Sequence, residues 1–379
     1  MPALLCAVLA VKGSDWLPVA FVQVIDNGRM LRNFVQMMRS GALGRKSLGT
    51  RSKRLVQQWL NRASEEKLLA AAVGKAPSLA DVVKMVHPKP AEVWRSAFFA
   101  WLIGKPYNEA ELPLVVQSLE RYRREGGKMP KAPFQLMTSM PLGWREWSIL
   151  ALRGGWQMLR MNLNSFQRHG VFRDPKMVKK VARRLTNAEA IRKARAFPYQ
   201  LLTTYISTAD APKPIRQALE QALEIALVNV PRLPGRVVVC PDVSGSMHSP
   251  VTGYRPGATT VTRCIDVAAL IAAAFLRKDR KTLVLPFDWN VSGVRLKPDA
   301  TVMDNAARLA CLGGGGTDCS APLRWLNQSH EMADLVILVS DNESWIGSGR
   351  YRSTGVMREW TRFRKANPGA RLVCLDIQP

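Results

Sequence analysis

The stretch VVVCPDVSGSM, Val237 to Met247, constrains this chain more than any other. Five apolar residues, three of them β-branched, run straight into an acid, two serines and a glycine. Such a run reads as a buried strand. Alternate residues of an extended turn point the same way, so Asp242, Ser244 and Ser246 aim three oxygen-bearing side chains at one spot.

The residues after it repeat this grammar. TRCIDVAALIAAAFLRK reads as an apolar helix and KTLVLPFD as a second strand. NAARLACL and SAPLRWLNQ are short helices around the run Gly313–Gly316. ADLVILVSDNES is a third strand, GVMREWTRFRKANPG a helix and ARLVCLDI a last strand. Continuous apolar strands alternating with helices predict a doubly wound α/β domain, its parallel sheet covered on both faces. Ligands of such sheets sit at the carboxyl ends of the strands.

Before this domain the period is helical. DWLPVAFVQVIDNGRMLRNFVQMMRSG places apolar residues at helical spacings of three and four and stops at Gly41. SKRLVQQWLNRA, SLADVVKMVHP, PAEVWRSAFFAWLIGKP, NEAELPLVVQSLERYRREGGK, DPKMVKKVARRLTN and PIRQALEQALEIALVNV continue it. Ser78 with Asp81 resembles a capping box. Short helices in succession predict a stacked HEAT-like repeat solenoid, although no strict sequence period is visible. Two prolines and a glycine in VPRLPGR, Val230 to Arg236, predict the linker, giving domains 1–230 and 231–379. MPALLCAVLAVKG has no basic n-region and a short apolar run, so it is expected as a buried helix. No apolar run approaches the ~20 residues of a membrane span. The six cysteines are scattered, with no C-x-x-C pair. That argues against a zinc site or a disulfide framework and for a reducing, cytoplasmic compartment.

Charge separates the halves. The net charge is +26. Residues 1–230 hold 36 basic and 16 acidic side chains, residues 231–379 hold 19 and 13. An excess of this size attracts a polyanion, and nucleic acid is the usual one; the alternative is a merely solvated basic surface. MMRSGALGRKSLGTRSKR concentrates Arg39, Arg45, Lys46, Arg51, Lys53 and Arg54 among glycines and hydroxyls, a mix that suits phosphates. KKVARRL adds Lys179, Lys180, Arg183 and Arg184. Trp94, Trp101, Trp144 and Trp156 offer stacking surfaces, but their apolar neighbours favour the core.

Three strand-end loops line up in the α/β half: Asp242-Val-Ser244-Gly-Ser246, then the glycine run with Thr317-Asp318, then Ser340-Asp341. Alone, each acid would read as a cap on the helix that follows its strand. Together, Asp242, Ser244, Ser246, Thr317 and Asp341 make a hard-oxygen set suited to Mg²⁺ or another divalent cation.

These residues carry a family resemblance. DVSGSM, GGGGTD and VSDNES resemble the metal-ion-dependent adhesion site of a von Willebrand factor A domain. SDNES with the segment MREWTRFRKANPGARLVCLDIQP is similar, more narrowly, to the Ro autoantigen family, which joins a TROVE module of helical repeats to such a domain. MMRSGALGRKSLGTRSKRLVQQWL, SLADVVKMVHPKP and KARAFPYQLLTTY resemble TROVE segments. The resemblance implies a noncatalytic ribonucleoprotein component, a ring of repeats closed by the A domain. It would bind small noncoding Y-like RNA on its outer surface and single-stranded ends of misfolded RNA in its hole, and its partners would extend to an exoribonuclease. Lys84 and His87 match a segment associated there with Y RNA; a histidine before Pro88 serves equally well as a helix terminus. Family members carry a longer N-terminal helical part, which leaves the ring open to question. A Mg²⁺-dependent module that captures a partner's carboxylate is the alternative function. A nuclease is disfavoured, because metal-assisted phosphoryl chemistry commonly needs several carboxylates and a base.

Overall fold

The computed structural model describes residues 2–254, 260–341 and 355–378. It divides into two compact units, Met1–Glu146 and Trp147–Pro379.

The first unit is helical. The helix Pro2–Val11 buries Ala3, Cys6, Ala7 and Ala10, as its apolar run predicts. The helical pattern from Asp15 is carried by two helices, Leu17–Val24 and Gly28–Arg39. Asn27 breaks it: its side chain accepts from the Met30 N–H at 3.0 Å and caps the second helix. Gly28 is required next to it, because a Cβ there would lie 2.2 Å from the Ala71 Cβ. Phe21 and Phe34, one from each helix, then meet edge to face at 5.1 Å in the core. The expected capping box is present at Leu79–Val86: Asp81 N–H donates to Ser78 Oγ and Ser78 N–H donates to the Asp81 carboxylate.

The second unit holds the helices Pro175–Leu185, Pro198–Ser207 and Lys213–Ala226 and the α/β domain. The expected boundary at 230/231 lies inside it. Glu224, on the last of these helices, accepts the Val302 N–H at 2.6 Å, and Lys278 donates to the Leu227 carbonyl at 2.9 Å. The sheet strands are β1 (Val237–Pro241), β2 (Leu283–Val284), β3 (Leu335–Ser340) and β4 (Arg371–Asp376). They are parallel, in the order β2-β1-β3-β4. The strand expected over KTLVLPFD shortens to two residues. Pro286 has no N–H and interrupts the ladder; Phe287 beyond it resumes the parallel pairing as a bridge to Asp242, its N–H donating to the Pro241 carbonyl at 3.1 Å, and also bridges Val291.

Side-chain alternation splits the sheet. Val238, Cys240, Val336 and Leu338 pack with Leu323, Leu326 and Phe363 from the helices Ala321–Gln328 and Gly355–Ala366. The helix Cys264–Lys278 packs against β1, β2 and β3. The two-sided cover expected of a doubly wound sheet holds for β1 and β3 but not for β4, whose residues are mostly exposed. Among the described residues it is an edge strand, paired with β3 alone. Trp156 is buried and donates to the Leu185 carbonyl, while Trp94 and Trp101 pack against the first unit's core. Trp144 departs from the core expectation, at 52% exposed.

Several arginines are spent inside the fold. Arg32 donates to the Ala71 carbonyl, Arg95 to those of Leu60 and Ala63, and Arg216 to those of Thr208 and Ala209. These carbonyls lie at or just beyond the ends of helices, where the backbone leaves acceptors bare and the dipole favours a cation. Arg95 is 3% exposed and also pairs with Glu92. Arg95→Met is therefore expected to leave two carbonyls without partners and to lower stability by about 2–4 kcal/mol. Urea denaturation checks this; a change within the error of the midpoint would remove the capping role.

Candidate functional site

The site is built at the carboxyl ends of β1 and β3. Asp242 follows β1 and has no exposed surface. One carboxylate oxygen accepts the Ser244 N–H at 2.8 Å, and the other accepts the Ser340 hydroxyl at 2.6 Å across the strands. Burial pushes the Asp242 carboxyl above the ordinary carboxylate range. The hydrogen bonds from Ser244 and Ser340 act the other way, and the charge of Asp341 adds to the rise. That coupling places Asp242 and Asp341 in one electrostatic neighbourhood.

The glycine run is laced to the first loop through backbone. Gly314 N–H donates to the Val243 carbonyl at 3.1 Å, and Gly245 N–H donates to the Gly315 carbonyl at 2.8 Å. Gly313 has φ 75°, and a Cβ on it would stand 2.0 Å from the Val243 oxygen. Thr317, two residues beyond the Gly315 contact, is buried at 1% exposed. Ser244 and Ser246 bring their hydroxyls to 3.3 Å. Of the five residues read from the sequence, Asp242, Ser244, Thr317 and Asp341 are buried and Ser246 is half-buried. Asp318 is occupied elsewhere. It accepts the Ser320 N–H and hydroxyl and pairs with Arg324, securing the start of the helix Ala321–Gln328.

The donor set is oxygen only, which fits a hard divalent cation. Among the described residues no three His, Cys, Asp or Glu side chains cluster as metal ligands. A set with two carboxylates and three hydroxyls would not form such a cluster.

The basic residues sort by burial. On the helix Pro175–Leu185, Met177, Val178, Val181 and Leu185 are buried, and Lys179, Lys180 and Arg183 occupy the opposite, exposed arc. At about 3.6 residues per turn, Arg184 falls on the border of the buried arc. It turns inward, donating to the Ala151 and Gly154 carbonyls, and burial lowers its pKa. In the first unit Arg39, Lys46, Arg51, Arg54, Lys84 and His87 are exposed, and Arg45 and Lys53 half-buried. Arg51 reaches the Gly13 carbonyl and Asp15. Arg39 and Lys84 meet across one open recess, with Gln36, Ser40 and Asp81 on its walls. The hydrogen bonds from Ser78 hold the Asp81 carboxyl below its ordinary range, and Lys84 and Arg39 add to the effect. His87 ends its helix in a left-handed backbone conformation with its ring exposed.

Residues 236–375 match the family model of the Ro60 vWA domain. This stretch is thus similar to the vWA domain of Ro60 proteins. Sequence similarity extends beyond it: the chain is homologous to the RNA-binding protein RO60 of Deinococcus radiodurans, at 26% identity over 355 residues. The match covers 86% of this chain and 65% of that protein, so the chain spans just under two thirds of its relative. RO60 of Caenorhabditis elegans is 26% identical over 185 residues, 46% of this chain and 28% of that protein. The crystal structure of the Deinococcus radiodurans RO (RSR) protein superposes with a TM-score of 0.72 at 22% identity, covering 98% of this chain and 79% of that one. The same architecture is thus shared: a helical region followed by a vWA domain.

Within the vWA domain, sequence reasoning missed two neighbours of the site. Trp289 lies over the glycine run so closely that a Cβ on Gly316 would stand 2.3 Å from its ring; Asp288 borders Gly315. Their signal was the strand end LPFDW, parallel to the strand that ends at Asp242. Asn342, Glu343 and Ser344 of the SDNES motif lie outside the described residues. Gly313→Ala is expected to cost at least ~1–2 kcal/mol through its backbone conformation and the Val243 contact. Gly293→Ala, with no left-handed backbone and nothing within 4 Å of an added Cβ, is expected to be near neutral. Paired thermal melts decide; equal melting temperatures would refute the close approach.

Proposed function

We propose that the chain is the noncatalytic RNA-binding component of a Ro-type ribonucleoprotein, taking small noncoding RNA and single-stranded ends of misfolded RNA. The observation that carries this reading is the exposed cationic arc Lys179, Lys180 and Arg183, together with the Arg39 and Lys84 recess. These cations are free of the internal carbonyl duties that hold Arg95 and Arg184. The relative in Deinococcus radiodurans, named an RNA-binding protein, supports it over most of the chain. Arg45, Lys46, Arg51, Lys53, Arg54 and His87 belong to the same reading as further phosphate contacts, and Arg184 is assigned to positioning its helix. We place the protein in the cytoplasm, with an exoribonuclease as a protein partner. Among the described residues no helix is long and apolar enough to cross a membrane.

The vWA domain adds a second role, docking of a partner's carboxylate through a divalent cation. Asp242, Ser244, Ser246, Thr317 and Asp341 would hold the ion, and Mg²⁺ would supply a Lewis-acidic position for an incoming oxygen. Two carboxylates suit docking better than phosphoryl chemistry, which commonly calls on more acids and a base.

Filter binding over a salt series tests the RNA reading. Affinity is expected to fall steeply between ~50 and ~200 mM salt. Replacing Lys179, Lys180 and Arg183 by Gln together is expected to weaken binding at least tenfold and flatten that slope, each lost contact to a single-strand phosphate removing about 0.7 from it. No RNA affinity at low salt would refute the proposal. Mg²⁺ is expected to raise the melting temperature of the wild type and not that of Asp242→Asn; equal shifts would remove the ion from this site.

A further inference from the structure

The second unit contains a recess of about 350 Å³ unrelated to the sheet edge. It lies between Pro198–Ser207 and the paired short helices Trp156–Met161 and Leu163–Arg168. Arg160 forms its floor, 8% exposed, with no acid on any wall. Nη1 donates to the Gln200 carbonyl at 2.8 Å and to Thr204 Oγ1 at 2.6 Å, and Nε approaches Gln157 at 3.4 Å. Nη2 donates to no group among the described residues. Arg95, buried likewise, and the half-buried Arg184 have their terminal nitrogens occupied, and Arg95 has Glu92 as counter-ion. A buried guanidinium with no counter-ion and a spare donor fork beside an open recess is half of an anion site.

The walls supply the other half. Tyr199 is 49% exposed, and its hydroxyl makes no hydrogen bond among the described residues. Met161, on the facing side, is 67% exposed. Asn164 uses its amide N–H on the Ser207 carbonyl, which keeps its Oδ1 available as an acceptor. A cation at the floor, a flat aromatic and a polarisable thioether at the rim, and an amide oxygen between them match a phosphate joined to a base. A volume of this size is ordinary for a small-ligand site.

We infer that this recess binds one phosphodiester of single-stranded RNA on Arg160, with the adjoining base laid against Tyr199 and Met161. The inference rests on the RNA-binding reading and adds to it a site none of whose residues belongs to the exposed cationic arc. Backbone phosphate and stacking surface carry no base code, so the site is tolerant of sequence.

The test uses the full chain and a 5′-labelled oligouridylate of about ten nucleotides, followed by fluorescence anisotropy. Tyr199→Ala and Arg160→Gln are each expected to weaken binding about tenfold, the order expected for one stacked base or one charged contact. Tyr199→Phe is expected to retain most of the affinity. A 5-bromouridine version of the strand is expected to crosslink to the peptide containing Tyr199. Melting curves identify any variant that fails to fold; if Arg160→Gln does, the exposed Tyr199 substitutions decide. If the Lys179, Lys180 and Arg183 variant loses affinity while Tyr199→Ala binds like the wild type without a crosslink, this site alone is refuted. Competition by uridine monophosphate equal to that of the oligonucleotide would refute it too, assigning the recess to free nucleotides. A wild-type chain that binds no RNA at all overturns both proposals.

Discussion

A carboxylate with no exposed surface stands at the end of β1, and the carboxyl edge of the sheet is organised around it. An ionised acid removed from water is costly unless its oxygens are engaged. Asp242 is therefore met by an N–H from its own loop and a hydroxyl from the end of β3. Those two contacts tie the first loop to the third. The glycine run is bound to the same loop through backbone alone, at separations that leave no room for a Cβ at Gly313. What results is a concentration of oxygen atoms inside a chain that is otherwise strongly cationic. Burial raises the Asp242 carboxyl, and Asp341 nearby raises it further. A divalent cation would relieve both effects, which is the physical reason to connect this geometry with docking.

The cationic side obeys a different economy. Arginines share a charge but not a job, because the arc of the helix on which each stands decides whether it meets water or a carbonyl. Arg183 and Arg184 are adjacent in sequence, yet one is exposed and the other closes the end of a neighbouring helix. Arg95 and Arg32 do likewise in the first unit. Net charge thus overstates the surface available to a polyanion. The residues that remain outward are fewer and lie on defined faces. Arg160 belongs to neither class, being buried but incompletely engaged, and for that reason it stands out from the other internal arginines.

Several features were legible before any coordinates. The apolar runs at Val237 and Leu335 announced strands whose ends carry the acids, and Ser78 with Asp81 announced a helix start that the hydrogen bonds match. Other features were not. The apolar spacing from Asp15 marks no break at Asn27, and only the structure shows Asn27 capping a second helix whose Gly28 lies too close to Ala71 for a Cβ. KTLVLPFD looked like a full strand, but Pro286 interrupts the ladder, which Phe287 rejoins only as a bridge to Asp242. Trp144 has apolar neighbours in sequence and solvent in space.

The sequence by itself determined the kind of each element and the chemistry at its end, because periodicity and strand-end acids are local properties written in neighbouring residues. It also determined that the chain is homologous to proteins with a Ro60-type vWA domain, since loop motifs with fixed spacing are local as well. Only the tertiary structure decided which oxygens meet at Asp242, which arginines face carbonyls, and where a guanidinium without a counter-ion borders an open recess. Those outcomes depend on contacts between residues about 30 to 100 positions apart, as with Ser340 and Asp242 or Arg160 and Thr204. No local pattern carries that information, because it is created only when the helices and strands pack.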